Sequence, residues 1–328
     1  MSMKERILYI DMAKGFAMVT IVMLHVVASN LEGDVAITIN FFNHSFNTRL
    51  FFFLSGMVVA LRGADLHKRK DSFIFFRKKT YTLLIPFLVW SLIVLPYIYY
   101  SSDINLFFDT AIASFIPPFN CYWFLLYLYV IQIFYLFVKA LSDHLKPFVS
   151  SNLLRETVLF GVISIVLFPI YEYYLFFILG YFFFRYGKDR LFKDATLAIS
   201  FCLFIGFFSI LREDGEDGLA FGYRFTMAIS ASIVVVNILK RIESDMSNHS
   251  KTCLLLSFIG RNSLEIYLLH YYIVWVCKGF FFSVSSLYGI PLYLIVFVIS
   301  FVVCLLCCYI AIVLKKIPYV SFLLFGNH

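Results

Sequence analysis

The sequence predicts an all-α fold: a polytopic membrane helix bundle of about ten transmembrane helices, with both termini cytoplasmic. Composition, block structure and charge placement each point there. Hydrophobic residues make up 62% of the 328 and charged residues only 14%, against about 25% charged in ordinary soluble domains. Phe alone contributes 41 residues. One soluble core cannot bury that much apolar surface, so lipid must solvate part of it. The apolar residues fall in long blocks with the charges gathered between them, a pattern foreign to a soluble β-protein. Outer-membrane barrels are excluded as well, because they need alternating strands of about ten residues.

A helical crossing needs roughly 20 apolar residues. Ten stretches qualify, at about 7–30, 46–62, 81–100, 121–140, 153–169, 171–187, 195–212, 219–239, 257–282 and 288–313. The fifth and sixth touch at Phe168-Pro169-Ile170-Tyr171 with almost no loop between them. Cytoplasmic loops retain Lys and Arg. With the N-terminus inside, 22 of the 27 basic residues fall on inner segments, while Arg49, Arg212, Arg224 and Lys278 lie outside and Lys14 lies within the first span. That rule accounts for the net charge of +7 without a nucleic-acid partner. Of seven cysteines, only Cys121 lies beside an outer loop, so no disulfide framework is implied. The first apolar run is interrupted by Asp11 and Lys14 and followed by further spans, which marks it as a retained anchor and not a secretion signal.

No linker, repeat or soluble segment appears, and the whole chain, 1–328, is expected to form one domain. The missing repeat weighs against an inverted-repeat transporter. The segment 211–218 is an acidic outer turn. Pro117-Pro118 leads into Tyr122-Trp123, an aromatic pair suited to the outer interface.

The first helix carries the chemistry. Ionisable groups within a span are costly and face a bundle interior or an aqueous cavity. Lys14 and His25 are eleven residues apart, about 20° past three full helical turns, so they share a face about 16 Å apart along the axis. Asp11 lies three residues before Lys14 on that face and is placed to pair with it. A boundary ion pair with a satisfied core histidine explains this spacing as well as a functional stripe does. The functional alternative makes His25 a general base or an acyl acceptor, a role suited to a side chain that titrates near neutrality.

Further segments add a family resemblance. Tyr9-Ile10-Asp11-Met12-Ala13-Lys14-Gly15 followed by His25 resembles the opening of the membrane acyltransferase-3 family, the O-acetyltransferases that include fucose and exopolysaccharide acetylases. A basic residue, ten residues and a histidine mark that opening. The resemblance continues in Leu50-Phe51-Phe52-Phe53-Leu54-Ser55-Gly56, in Arg77 through Pro86-Phe87 and Trp90, in Tyr122-Trp123-Phe124-Leu125, and in Gly260 through His270. Two places depart from the family pattern. Thr82 stands where a second arginine is usual, with Lys78 and Lys79 nearby. Asn47-Thr48-Arg49 stands where many relatives have a His-Met-Pro-like stretch.

The resemblance implies transfer of an acetyl group from cytoplasmic acetyl-CoA to a hydroxyl of a cell-surface glycan or a lipid-linked sugar, in a bacterial inner membrane. It casts His25, Asp11, Lys14 and Glu265 as catalytic. It gives Arg77, Lys78, Lys79 and Arg261 to the phosphates of the donor, and Tyr122, Trp123 and Glu172 to the acceptor. Cations at a helix mouth are chemically suited to phosphate, although positive-inside flanking explains Arg77–Lys79 equally well. Glu265 and Arg261 are spaced for an i,i+4 pair, His270 leans structural, and an interfacial aromatic belt accounts for Glu172 and its neighbours. No metal site or tightly bound cofactor is expected, since no pair among the remaining histidines has ligand spacing. Rival readings are a flippase for a lipid-linked sugar, and the same fold using another donor such as succinyl-CoA.

Overall fold

The computed structural model describes residues 7–31, 34–62, 69–101, 121–214, 220–245, 250–276 and 290–326. The acidic turn from 215, the Pro117-Pro118 approach and Lys278 lie outside these. Every regular element among the described residues is helical. In order they are α1 (Leu8–Asn30), α2 (Asp34–His44), α3 (Asn47–Arg62), α4 (Arg69–Lys79), α5 (Ile85–Ser101), α6 (Trp123–Leu145), α7 (Asn152–Val166), α8 (Tyr171–Tyr186), α9 (Lys188–Leu191), α10 (Asp194–Asp214), α11 (Ala220–Asp245), α12 (Lys251–Arg261), α13 (Ser263–Val276), α14 (Ile290–Leu314) and α15 (Pro318–Phe325).

Four of these helices are long and apolar enough to cross a membrane: α1, α6, Phe221–Asp245 of α11 and Pro291–Leu314 of α14. Two bent pairs raise the number to six. These are α7 with the run from Phe168 through α8, bent by 95°, and α12 with α13, bent by 80°. Among the described residues the ten expected apolar runs fold as helices, and four to six of the helices meet the length of a crossing. The runs at 46–62 and 81–100 give α3 and α5 only 16 and 17 residues, and the apolar part of α10 is the short stretch Asp194–Ile210. Hydropathy marks apolar content, whereas the length of a helix is set by where its backbone breaks.

Lipid-facing surface is visible on α14. Leu294, Val298, Val302, Leu306 and Tyr309 recur every three or four residues and are exposed. Val296, Ser300, Val303, Cys304, Cys307 and Ala311 occupy the opposite, buried side. A continuous exposed apolar stripe of that length is tolerated in lipid and not in water.

The contacts divide the chain into two compact units, Met1–Val58 with Leu179–Ala311, and Val59–Ile178 with Ile312–His328. In the first, α1 packs against α2, α11, α12 and α13, and α10 packs along α11. In the second, α6 packs against α7, and α15 packs against α5. Between α4 and α5 the helix passes through one π-turn, Thr80–Leu84, closed by the Ile85 N–H donating to the Thr80 carbonyl. Pro86 follows directly, and its missing N–H removes one ordinary helical donor at that point. The Trp90 indole Nε1–H donates to the Leu324 carbonyl at 2.9 Å and ties α15 down.

A buried ion pair joins α6 to α7. Lys139 Nζ lies 3.5 Å from Glu156 Oε1, with side-chain exposures of 7% and 2%. Beside it the Arg155 guanidinium donates to Ser142 Oγ, to the Val149 carbonyl and to Asn152 Oδ1. Removing one member of such a pair strands the other charge at a cost of about 3–5 kcal/mol, whereas replacing both by apolar groups is near neutral. Glu156→Ala is expected to lower the midpoint of thermal unfolding in detergent sharply. The double change Lys139→Met with Glu156→Leu is expected to recover most of that loss.

Candidate active site

The site begins with two glycines. A Cβ on Gly15 would stand 2.1 Å from the Leu256 carbonyl oxygen, and one on Gly260 would stand 1.8 Å from the Asp11 carbonyl oxygen and 2.8 Å from the Gly15 nitrogen. α1 and α12 therefore cross with backbone against backbone, which only residues without a side chain permit. The crossing fixes the height of α1 against the segment Leu256–Gly260, and it brings Asp11 directly against that segment.

Most of α1 is buried, and the face that carries its ionisable residues opens only towards its two ends. Asp11 and Lys14 are half-buried, Met18 and Ile21 are closed off, and His25 and Ala28 open again. These six follow one heptad-spaced face, as the angular arithmetic requires. The stripe thus has two accessible ends, one carrying the acid–base pair of residues and one carrying the imidazole.

At the second end the His25 ring meets His270, with centroids 5.1 Å apart and planes inclined at 46°, and Tyr271, at 5.9 Å and 78°. His270 is 3% exposed. Its Nδ1 lies 2.9 Å from the Ile266 carbonyl oxygen. A carbonyl only accepts, so Nδ1 carries the proton. Nε2 is buried and has no hydrogen-bond partner. The sequence pointed to His25 but gave His270 a structural role. Its position in the Gly260–His270 segment was the available signal, and the eighty-degree bend that aims it at α1 was not legible.

That bend also changes the reading of Glu265 and Arg261. Asn262 ends α12 and Ser263 starts α13, so the two charged residues do not share a helix face as i,i+4 spacing assumes. Arg261 is exposed at the end of α12, where its Nε donates to the Ser257 carbonyl at 3.3 Å. Glu265 is buried in the first turn of α13.

The remaining expected residues belong to the second unit. Arg77 and Lys78 are exposed, and Lys79 sits over the Phe75 ring at 5.3 Å. Thr82 turns its hydroxyl back onto the Lys78 carbonyl at 2.9 Å and brings no charge. Tyr122 is buried against Trp90, at 5.9 Å. Trp123 forms a half-buried aromatic group with Tyr127 and Tyr173, at 5.2 and 5.0 Å, and Glu172 is the chain neighbour of Tyr173, itself half-buried.

The first unit holds a basic pocket that sequence reasoning did not single out. Phe192, Asp194, Asn237, Lys240, Arg241 and Ser244 line a cavity of about 230 Å³. Lys240 lies 3.6 Å above the Phe192 ring, and Arg241 donates to Asp194 Oδ1 at 2.5 Å. The pocket adjoins the start of α1, since Tyr9 packs edge-on against Phe192 at 5.8 Å and its N–H donates to Glu243 Oε1 at 3.2 Å.

Compared with known proteins, residues 7–313 match the acyltransferase-3 family model, described as an acyltransferase domain. No curated protein and no solved structure matches the chain significantly.

Gly15→Ala and Gly260→Ala each drive a methyl group into a backbone that cannot step aside. Overpacking of this kind costs about 1–3 kcal/mol and displaces the elements. Both variants are expected to melt lower than the wild type in detergent. The control Gly206→Ala, where a Cβ meets nothing within 4 Å, is expected to leave the melting temperature unchanged or raise it slightly.

Proposed function

Because the chain belongs to the acyltransferase-3 family, matched from residue 7 to 313, and is built of apolar helices long enough to cross a membrane, it is a membrane acyltransferase, and we propose that it moves an acetyl group from acetyl-CoA to a hydroxyl of a cell-surface or lipid-linked glycan. The observation that carries this reading is the His25–His270 pair at one end of the stripe of α1, the most buried of the long apolar helices, that also holds Asp11 and Lys14.

In the proposed reaction the acceptor hydroxyl gives its proton to His25 as its oxygen attacks the thioester carbonyl. The new C–O bond forms, the C–S bond breaks, and the proton passes from the imidazole to the departing thiolate sulfur. General base catalysis of this kind contributes on the order of 10²–10⁴-fold. His270 orients His25, and its own orientation is set by the Ile266 carbonyl. Asp11 and Lys14 occupy the far end of the same stripe.

Coenzyme A carries several phosphate charges, and two groups of cations suit them. Arg77, Lys78 and Lys79 are the group expected from the sequence. The pocket of Lys240, Arg241, Ser244 and Phe192 is favoured by its own geometry, since it joins cationic donors to an aromatic face beside the start of α1. In this reading the N-terminal end of α1 is cytoplasmic and the membrane is a bacterial inner membrane, which places acetyl-CoA on the basic side.

His25→Ala is expected to lower acetyl transfer from radiolabelled acetyl-CoA in proteoliposomes by on the order of 10²–10⁴-fold, with the protein still inserted and folded. Full transfer by that variant would remove the assignment. Reversing charge at Lys240 and Arg241, or at Arg77 and Lys78, is expected to raise KM for acetyl-CoA and leave kcat nearly unchanged. Whichever pair does so marks the phosphate site.

A further inference from the structure

α2 and α3 meet at a break, Ser45-Phe46, and buried amide groups beside it have no hydrogen-bond partner among the described residues. Phe46, at the break, stacks on Phe16 of α1 with centroids 6.1 Å apart and planes within 8°. Fourteen residues of helix separate Phe16 from Asn30 at the end of α1, about 21 Å. The chain has therefore come back along α1 to near its middle before α3 begins. Phe41 and Phe42 hold α2 on its other side against Phe208 of α10, at 5.3 and 6.0 Å.

The buried face of this broken helix runs Ala36, Ile39, Asn43, Phe46 and Leu50, with Asn47 beside it. Asn43 is 0% exposed and Asn47 is 1% exposed. Neither Nδ2 nor Oδ1 of Asn43 has a hydrogen-bond partner, nor has Nδ2 of Asn47. Higher on α1, Asn30 gives its Nδ2–H to the Val26 carbonyl and leaves Oδ1 unmet. The break itself is better served. Arg49 donates to the His44 carbonyl at 2.9 Å, Ser45 Oγ donates to the Phe42 carbonyl, and the Thr48 N–H donates to Asn47 Oδ1. The unmet groups are therefore the side chains, and the backbone ends of the break are capped.

A buried amide without partners costs roughly 1–3 kcal/mol in protein interiors, more where no water competes. Unsatisfied polar groups within a membrane mark ligand paths, and helix breaks at mid-depth serve as substrate sites where they are lined by polar groups. The ligand must both donate and accept, because Asn43 offers one unmet donor group and one unmet acceptor. Phosphodiester oxygens only accept, and an acyl chain does neither. Hydroxyls and amides do both, so the sugar acceptor and the pantetheine arm of the donor are the two candidates that the test separates.

We infer that Asn43 and Asn47, on either side of the break between α2 and α3, form a subsite that binds hydroxyl groups of the sugar acceptor. The inference rests on the transfer reaction proposed above and assigns its acceptor side to these amides.

The test uses the full-length protein with Asn43→Leu, Asn47→Leu and the shape-conserving Asn43→Asp. Melting temperatures are measured in a detergent that contains no sugar. Kinetics are measured in proteoliposomes with radiolabelled acetyl-CoA and the glycan fraction of the source membranes. Replacing an unmet buried amide by an apolar side chain of similar size is expected to leave the melting temperature unchanged or raise it. KM for the glycan fraction is expected to rise by about tenfold per amide lost, while KM for acetyl-CoA stays within about twofold. A lower melting temperature in both leucine variants would show that the amides are structural and overturn the subsite. So would a rise confined to KM for acetyl-CoA, which would hand the amides to the pantetheine, or no change in transfer by all three variants. Wild-type protein that transfers no acetyl under these conditions would remove the proposed reaction and the subsite with it. A wild type that is active and indifferent to these substitutions would remove the subsite alone.

Discussion

The contact on which the rest of the first unit depends is the crossing of α1 and α12 through Gly15 and Gly260. Between helices in lipid there is no hydrophobic drive to associate, so closeness must come from backbone fit. Here the Gly15 backbone meets the Leu256 carbonyl, and the Gly260 backbone meets the Asp11 carbonyl. From each glycine to its histidine the chain advances ten residues, from Gly15 to His25 and from Gly260 to His270. The two imidazoles meet because both counts begin at one shared contact and α13 turns back toward α1 after Asn262. A displacement of an ångström or two at the crossing would be carried up both segments to the ring pair, where reactivity depends on placement to that tolerance.

Burial follows polarity on α1 in the reverse of the soluble order. Within the best 18-residue window, 72% of α1 is buried, against 39% for α14 and 39% for α6. Yet α1 carries Asp11, Lys14 and His25, while α14 carries no charged residue before Leu314. In a bilayer the apolar helix is the one that can face the solvent, and the helix with ionisable groups must be enclosed. The stripe from Asp11 to Ala28 is open only at its two ends, with Met18 and Ile21 closing the middle. Two accessible ends on one enclosed face suit a reaction whose donor and acceptor arrive from different places.

Helix positions were legible in the sequence to within a few residues, because apolar content at a 20-residue scale is a strong local signal. The shared face of Asp11, Lys14 and His25 was legible for the same reason, being fixed by the 3.6-residue period alone. What the sequence did not disclose were the interruptions. The run at 257–282 looked like one span, yet Asn262 divides it; the run at 46–62 was taken as a whole span, yet it continues a shorter helix that begins at Asp34. Hydropathy does not register a turn made by apolar residues such as Phe46. His270, whose ring meets that of His25, is far from it in sequence. That contact depends on geometry that no window of the chain contains.

The interruptions coincide with the polar residues, and the coincidence has a physical cause. Breaking a helix inside a bilayer releases backbone donors and acceptors that lipid cannot satisfy. Each break described here therefore recruits side chains to the loose ends: Arg49 and Ser45 at the first, and at Asn262 its own amide, donating to the Phe258 carbonyl at 2.8 Å. Once such groups are assembled, the surroundings can also hold amides, imidazoles and a carboxylate. Asn43 and Asn47 stand at the first break, Glu265 and Arg261 at the second, with His270 about two helical turns beyond. A straight bundle of the same composition would be more stable and would have nowhere to place this chemistry. The breaks leave the separate pieces shorter than a crossing, and they gather polar side chains in the interior of an apolar protein.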